Sequence, residues 1–271
     1  MSETAYDRPA LGGARLDHRY GPNVHILSDP WALSLMARIS HPDADTRTVH
    51  PLLAAGFRHL MAAAAQELPL VHADLPTRMT SGEPRARNTA TILDSNAKAV
   101  IVDVARGGMV PSHILQLGLM EVLEPSGVRV DHIYLQRVSA PGGGAVTGVA
   151  HAGSKIGGPV AGATVFVPDP MAATGSSMAY VLDVYRHQPG GAPRKLVALH
   201  LIVTPEYLAR VARDQPDVVV YALRVDRGLS SQDVLDDVPG ARWDDERGLD
   251  AHSYIVPGAG GVGEVINNAF V

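Results

Sequence analysis

"VFVPDPMAATGSSMAYVLDVY", residues 165–185, changes character twice. It begins as an apolar strand, passes through Asp169-Pro170 and a run of small residues, and resumes as an amphipathic helix. Small residues at Ala172, Ala173, Thr174, Gly175, Ser176 and Ser177 let backbone N–H groups approach a phosphate closely, and the dipole of the following helix adds favourable potential. The Thr and Ser hydroxyls add donors, and the Asp169 carboxylate can accept from sugar hydroxyls. The competing interpretation is an ordinary Ser-capped helix after a strand.

The pattern repeats on either side. "AVIVDVA" (99–105), "VDHIYLQRVS" (130–139), "ATVFVPD" (163–169), "KLVALHLIV" (195–203) and "DVVVYALRV" (217–225) predict strands. "VHPLLAAGFRHLMAAAAQELPLV", which meets Pro69, predicts a strong helix, as do "VPSHILQLGLMEVL" (110–123), "SSMAYVLDVYRHQ" (176–188) and "PEYLARVARDQ" (205–215). Strands that alternate with helices and are apolar on both faces predict an α/β fold, with a mostly parallel sheet covered by helices on both sides. One domain is expected over 23–271, preceded by a polar arm at 1–22. Ligands of such sheets bind at the carboxyl ends of strands, so the strand-ending loops matter most.

Composition narrows the function. A net charge of −5 disfavours non-specific nucleic-acid binding. The absence of cysteine excludes disulfides, thiolate catalysis and Cys-ligated zinc. The 12 histidines show no metal-ligand spacing, so no protein-held metal is expected. No signal-like or membrane-length apolar run is visible, which suggests a cytoplasmic protein without a membrane partner.

Two glycine-rich stretches imitate nucleotide loops. Gly148-x-x-x-x-Gly153-Ser154-Lys155 lies in a long segment, 139–162, that reads as a mobile cover. A P-loop has its lysine directly after the last glycine and then a helix; here the lysine is one place late, and "IGGPV" cannot form that helix. "YIVPGAGGVGE" (254–264) has dinucleotide-fingerprint spacing, but the stretch after Gly263 is too short for the second strand and carboxylate that a βαβ unit supplies.

The 169–177 loop resembles the phosphoribosyl-pyrophosphate (PRPP) motif of type I phosphoribosyltransferases, in the Asp-Pro-Met-x-Ala-Thr-Gly-x-Ser form of uracil phosphoribosyltransferases. "YIVPGAGG" resembles that family's C-terminal uracil loop. "NVHILSDP", Phe57-Arg58, "ELPL" and Arg106-Gly107-Gly108 resemble further segments in order, from about residue 22 onward. The resemblance implies a C-terminal hood at about 245–271. In it, Ile255, Gly260, Gly261 and Val262 meet the base through main-chain groups, which explains the glycines.

It also implies transfer of 5-phosphoribosyl from PRPP to a nucleobase, uracil by default, giving UMP and pyrophosphate in pyrimidine salvage. Arg106, Arg137 and Asp169 are the implied catalytic residues. These three, with Pro170, Met171, Ala172, Ala173, Thr174, Gly175, Ser176 and Ser177, would bind PRPP. Mg²⁺ would arrive carried by PRPP, and the assembly would be a homodimer or higher oligomer.

Several positions depart from the family. Gly261 replaces an Asp, Val262 an Ala, and Tyr207 a Gly; Glu264 keeps a charge, and Val265 replaces an Arg. Asp103-Val104-Ala105 stands where Pro-Ile-Leu is usual, and "SQDVLDDVPGARWDD" reads as an insertion. The alternative is a non-catalytic nucleotide- or PRPP-binding regulator on the same fold.

Overall fold

The computed structural model describes residues 15–139 and 146–269. Its strands are Val24–Ile26 (β1), Leu70–Pro76 (β2), Arg87–Leu93 (β3), Ala99–Ala105 (β4), Val128–Ser139 (β5), Val146–Lys155 (β6), Thr164–Pro168 (β7), Met171–Ala172 (β8), Lys195–Val203 (β9) and Val219–Val225 (β10). Its helices are Pro30–Ile39 (α1), Thr46–Ala64 (α2), Met109–Leu119 (α3), Ser176–Arg186 (α4), Pro205–Asp214 (α5), Gln232–Leu235 (α6) and Val262–Asn267 (α7). The main sheet runs in the order β1-β10-β9-β7-β4-β5-β6, with β8 beside β9. Pairing is parallel except between β5 and β6.

Both faces of the sheet are covered, and the strand sequences show why. Along β9, Val197, Leu199 and Leu201 join the core made with α1, α2, α3 and α7, while Leu196 and Ala198 join the core made with α4 and α5. A strand buried on both faces has no reason to alternate with polar residues, hence the unbroken "LVALHLIV". Only His200 interrupts that run, and it is fully buried.

Two elements differ from expectation. The Gly-rich segment read as a cover includes β6, which pairs antiparallel with β5 from His132↔Lys155 to Ser139↔Val146. Residues 148–155 are therefore strand, not a phosphate loop; residues 140–145 of the segment lie outside the described part. Second, β2 and β3 form a hairpin in a separate two-stranded sheet. The exposed side chains of Leu70, Val71, Leu75 and Ile92 explain why no in–out alternation marks it.

Within the segment read as an arm, residues 15–22 are docked. Leu16 N–H donates to Ile26 O at 2.9 Å, Arg19 N–H donates to Pro239 O at 2.7 Å, and Tyr20 is buried with its hydroxyl donating to Glu246. Tyr20 also meets Trp243 edge to face, with ring centroids 5.1 Å apart. The insertion folds around the same carboxylate. Glu246 is buried, accepts from Arg227 Nη1 at 3.0 Å and from Gly240 N–H at 2.7 Å, while Arg227 also donates to the carbonyls of Val234, Leu235 and Asp237.

Candidate functional site

β7 ends at Pro168 and α4 begins at Ser176; the chain between them is held from behind, carbonyl by carbonyl. His200 Nδ1 reaches Asp169 O at 2.6 Å. Pro170 O accepts from the N–H groups of Leu201 and Ile202 at 3.0 and 3.1 Å. Thr204 Oγ1 donates to Ala173 O at 2.7 Å, and Arg210 Nη1 to Thr174 O at 3.1 Å. Four loop carbonyls are thus tied to β9, α5 and the Thr204 cap between them.

The donors are left over. Among the described residues, the N–H groups of Ala173, Thr174 and Gly175 have no acceptor. Those of Ser176 to Met178 belong to the first turn of α4, where no intrahelical acceptor exists. The N-cap of α4 is Gly175, with no side-chain capping bond, so the serines are not spent on an ordinary cap. A loop with its carbonyls turned away and its amides left over can accept an anion.

Gly175 makes the corner possible. Its φ is +76°, and a β-carbon there would lie 3.0 Å from Tyr207 Cδ2 and 3.2 Å from Arg210 Cδ. Tyr207, which departs from the family glycine, is fully buried beneath the loop and bonds His200 Nε2 through its hydroxyl at 2.8 Å. Because a carbonyl only accepts, Nδ1 of His200 carries the proton and Nε2 accepts from Tyr207. Burial lowers the His200 pKa to about 4 and raises that of Tyr207, which fixes both as neutral. Nothing in the sequence flagged His200, Thr204 or Arg210; a polar residue within an apolar strand was the available sign.

Beside the loop, β4 runs into the Arg106 turn through a cis Ala105–Arg106 peptide. Arg106 is exposed, and Gly107 and Gly108 allow the turn to approach the loop. A β-carbon at Gly107 would lie 3.1 Å from Asp169 Oδ1, and one at Gly108 would lie 2.7 Å from Val104 N and 3.1 Å from Pro168 O. Arg106 and Asp169 are thereby neighbours at adjoining strand ends. Arg137 stands on β5 opposite Val149, and its side chain lies outside the described part. Asp103 does not add a free charge to this corner. It is buried against His132 Nδ1 at 2.8 Å, and burial raises its pKa.

The 245–269 segment is anchored instead at the ends of β9 and β10 and on α2. Glu206, in the first turn of α5, accepts from the N–H groups of Gly248 and Leu249 at 2.9 and 3.2 Å. A β-carbon at Gly248 would lie 3.2 Å from Thr204 Cβ, the residue that holds the Ala173 carbonyl. Farther along, Asp226 is buried, grips Arg224 through two bonds of 2.5 and 2.8 Å, and accepts from Gly258 N–H at 2.7 Å. Thr46 and His50 of α2 hold the carbonyls of Val265 and Ile266 on α7. Ile255 and Val262 are buried, and both belong to the core cluster against which Met171 and Ala173 of the β7–α4 loop pack.

The peptides of Ala259 to Val262 are left with free N–H groups among the described residues. Gly260, Gly261 and Val262 line a cavity of about 250 Å³, whose other walls include Ile39, His41 and Val49. Gly261 has a further partner: a β-carbon there would lie 2.6 Å from Glu264 Oε2. The flexible end of Glu264 would have to swing aside for a side chain at 261.

A mostly parallel sheet covered by helices on both faces, with an amide-rich loop between β7 and α4, is the architecture of type I phosphoribosyltransferases. The comparisons agree. The family model described as uracil phosphoribosyltransferase matches residues 26–241. The uracil phosphoribosyltransferase of Variovorax paradoxus (strain S110) is 27% identical, over 90% of this chain and 97% of its own. That of Myxococcus xanthus (strain DK1622) is 28% identical, over 90% and 96%. The solved structure of the AQ2163 protein from Aquifex aeolicus superposes with a TM-score of 0.66 at 20% identity, covering 90% of this chain and 97% of its own. The chain belongs to the uracil phosphoribosyltransferase family, whose members are pentosyltransferases.

Proposed function

We propose that the chain transfers the 5-phosphoribosyl group of PRPP to a nucleobase, with uracil as the acceptor and UMP and pyrophosphate as products. The observation that supports this most is the phosphate loop, whose carbonyls at 169, 170, 173 and 174 are drawn to the rear while its amides stay free. In this reading the N–H groups of 173–177 and the hydroxyls of Thr174, Ser176 and Ser177 hold the 5-phosphate. Asp169 takes the ribose hydroxyls, and Pro170 to Ala172 fix the loop against β9.

Displacement at C1 leaves negative charge on the departing diphosphate, so a cation beside the ribose lowers the barrier. Arg106, exposed at a turn that touches Asp169, supplies it; Arg137 is proposed as its partner. The reaction needs positioning more than a covalent nucleophile. Mg²⁺ bound to PRPP would neutralise part of the diphosphate charge, and Asp169 is the loop carboxylate that would face it. The free peptide groups around Gly260, Gly261 and Val262 would read the flat base, with Ile255 proposed as a further contact. A homo-oligomer is proposed with it.

The test is acceptor-dependent pyrophosphate release. Incubation with PRPP, Mg²⁺ and a panel of pyrimidines, purines and azoles should give release with uracil, and UMP as product. Release with another base alone would change the acceptor. PRPP binding without release for any base would favour a regulatory protein.

A further inference from the structure

Arg210 stands behind the phosphate loop on α5. Its Nη1 donates both to Thr174 O, at 3.1 Å, and to Ser176 Oγ, at 2.8 Å. Its Nε is buried and makes no hydrogen bond, with Asp214 Oδ2 3.5 Å away. A guanidinium serving only an i,i+4 surface pair would direct its best donor geometry to the carboxylate. This one gives its hydrogen bonds to the loop.

Hydrogen-bond inventory and charge have two consequences here. Ser176 Oγ accepts from Arg210, so its single proton remains for Thr174 Oγ1, 3.3 Å away, or for a ligand in front of the loop. Thr174 O, which would repel an anion, is neutralised by a cationic donor. Because arginine stays protonated at any working pH, a full positive charge sits one hydrogen bond behind the free amides.

We infer that Arg210 is a positioning residue that tunes this loop for a doubly charged phosphate monoester, acting through Ser176 and the Thr174 peptide. The inference rests on the phosphate reading of the loop proposed above. An amide cup alone grips an anion through partial charges, whereas a fixed cation at its back rewards the second negative charge of a monoester. Partial exposure and the nearby Asp214 screen the effect, so a moderate gain of about tenfold in affinity, or about 1.4 kcal/mol, is expected.

The experiment is calorimetric titration of ribose 5-phosphate into wild type, Arg210→Gln and Arg210→Lys at low and moderate salt, with thermal unfolding of each. Arg210→Gln should bind about tenfold more weakly and lose part of the wild-type salt dependence. Arg210→Lys should recover much of the affinity, since it restores charge without the forked donor. Wild-type affinity in Arg210→Gln would overturn the inference. Equal loss in both variants, tracking a lowered melting temperature, would overturn it too, by showing a purely structural role. If wild type itself does not bind ribose 5-phosphate, the phosphate reading of the loop fails first, and the role assigned to Arg210 goes with it.

Discussion

Acid should destabilise the fold through His200, the buried histidine that holds the Asp169 carbonyl. His200 is fully buried, and its pKa falls from 6.5 to about 4 in the fold because burial disfavours the imidazolium. The unfolded chain takes up a proton near pH 6.5, and the folded chain does not until about pH 4. The unfolded state therefore binds more protons throughout that window, and stability falls as pH falls. The full contribution is present above pH 6.5. At about 1.4 kcal/mol per unit of separation, roughly 2 kcal/mol is lost by about pH 5 and about 3 kcal/mol by about pH 4.

His25, also lowered to about 4 by burial and by Arg15, works in the same direction. The assay is urea unfolding at a series of pH values from about 5 to about 8, for wild type and for His200→Asn, which keeps a donor for Asp169 O. The variant should be less stable at the alkaline end but should show a shallower decline, short by about one proton. Parallel stability curves would refute the reasoning, because they would mean that His200 titrates alike in both states.

The remaining predictions concern the loop and the hood. Gly175→Ala must place a side chain at φ +76° against the Tyr207 ring, so it should cost about 1–2 kcal/mol in urea unfolding and weaken ribose 5-phosphate binding. Glu206→Ala removes the acceptor for the Gly248 and Leu249 amides; the Michaelis constant for the base should rise while PRPP affinity, read by calorimetry, changes little. Asp226→Ala leaves Arg224 without its carboxylate and the Gly258 N–H without its acceptor, and thermal unfolding should show a loss of about 3 kcal/mol. Gly261→Asp sets a second carboxylate beside the movable end of Glu264, so base-dependent turnover should fall modestly through charge repulsion and recover in Gly261→Asp with Glu264→Ala.

The α/β alternation was legible because sheet strands buried on both faces leave long apolar runs, and "KLVALHLIV" coincides with β9 from end to end. The turn between β7 and α4 was legible from its small residues, of which Gly175 takes the positive φ of the corner. What lay hidden were contacts across sequence distance. Thr204 looks like an ordinary helix cap, and it does accept from Tyr207 N–H, yet the same hydroxyl pins Ala173. Arg210 looks like one more charge on an amphipathic helix. Asp103 stands out in the sequence only as a departure from the family, and strand register places His132 directly opposite it. The β2–β3 hairpin escaped because strands exposed on both faces carry no alternation to read.

Backbone amide chemical shifts during titration with ribose 5-phosphate bear on the loop most directly. The amides of Ala173 through Ser177 should move together and saturate with one affinity, ahead of any change in the hood. If those amides stay still while the rest of the folded chain reports binding elsewhere, the loop is a structural corner and the assignment built on it is wrong.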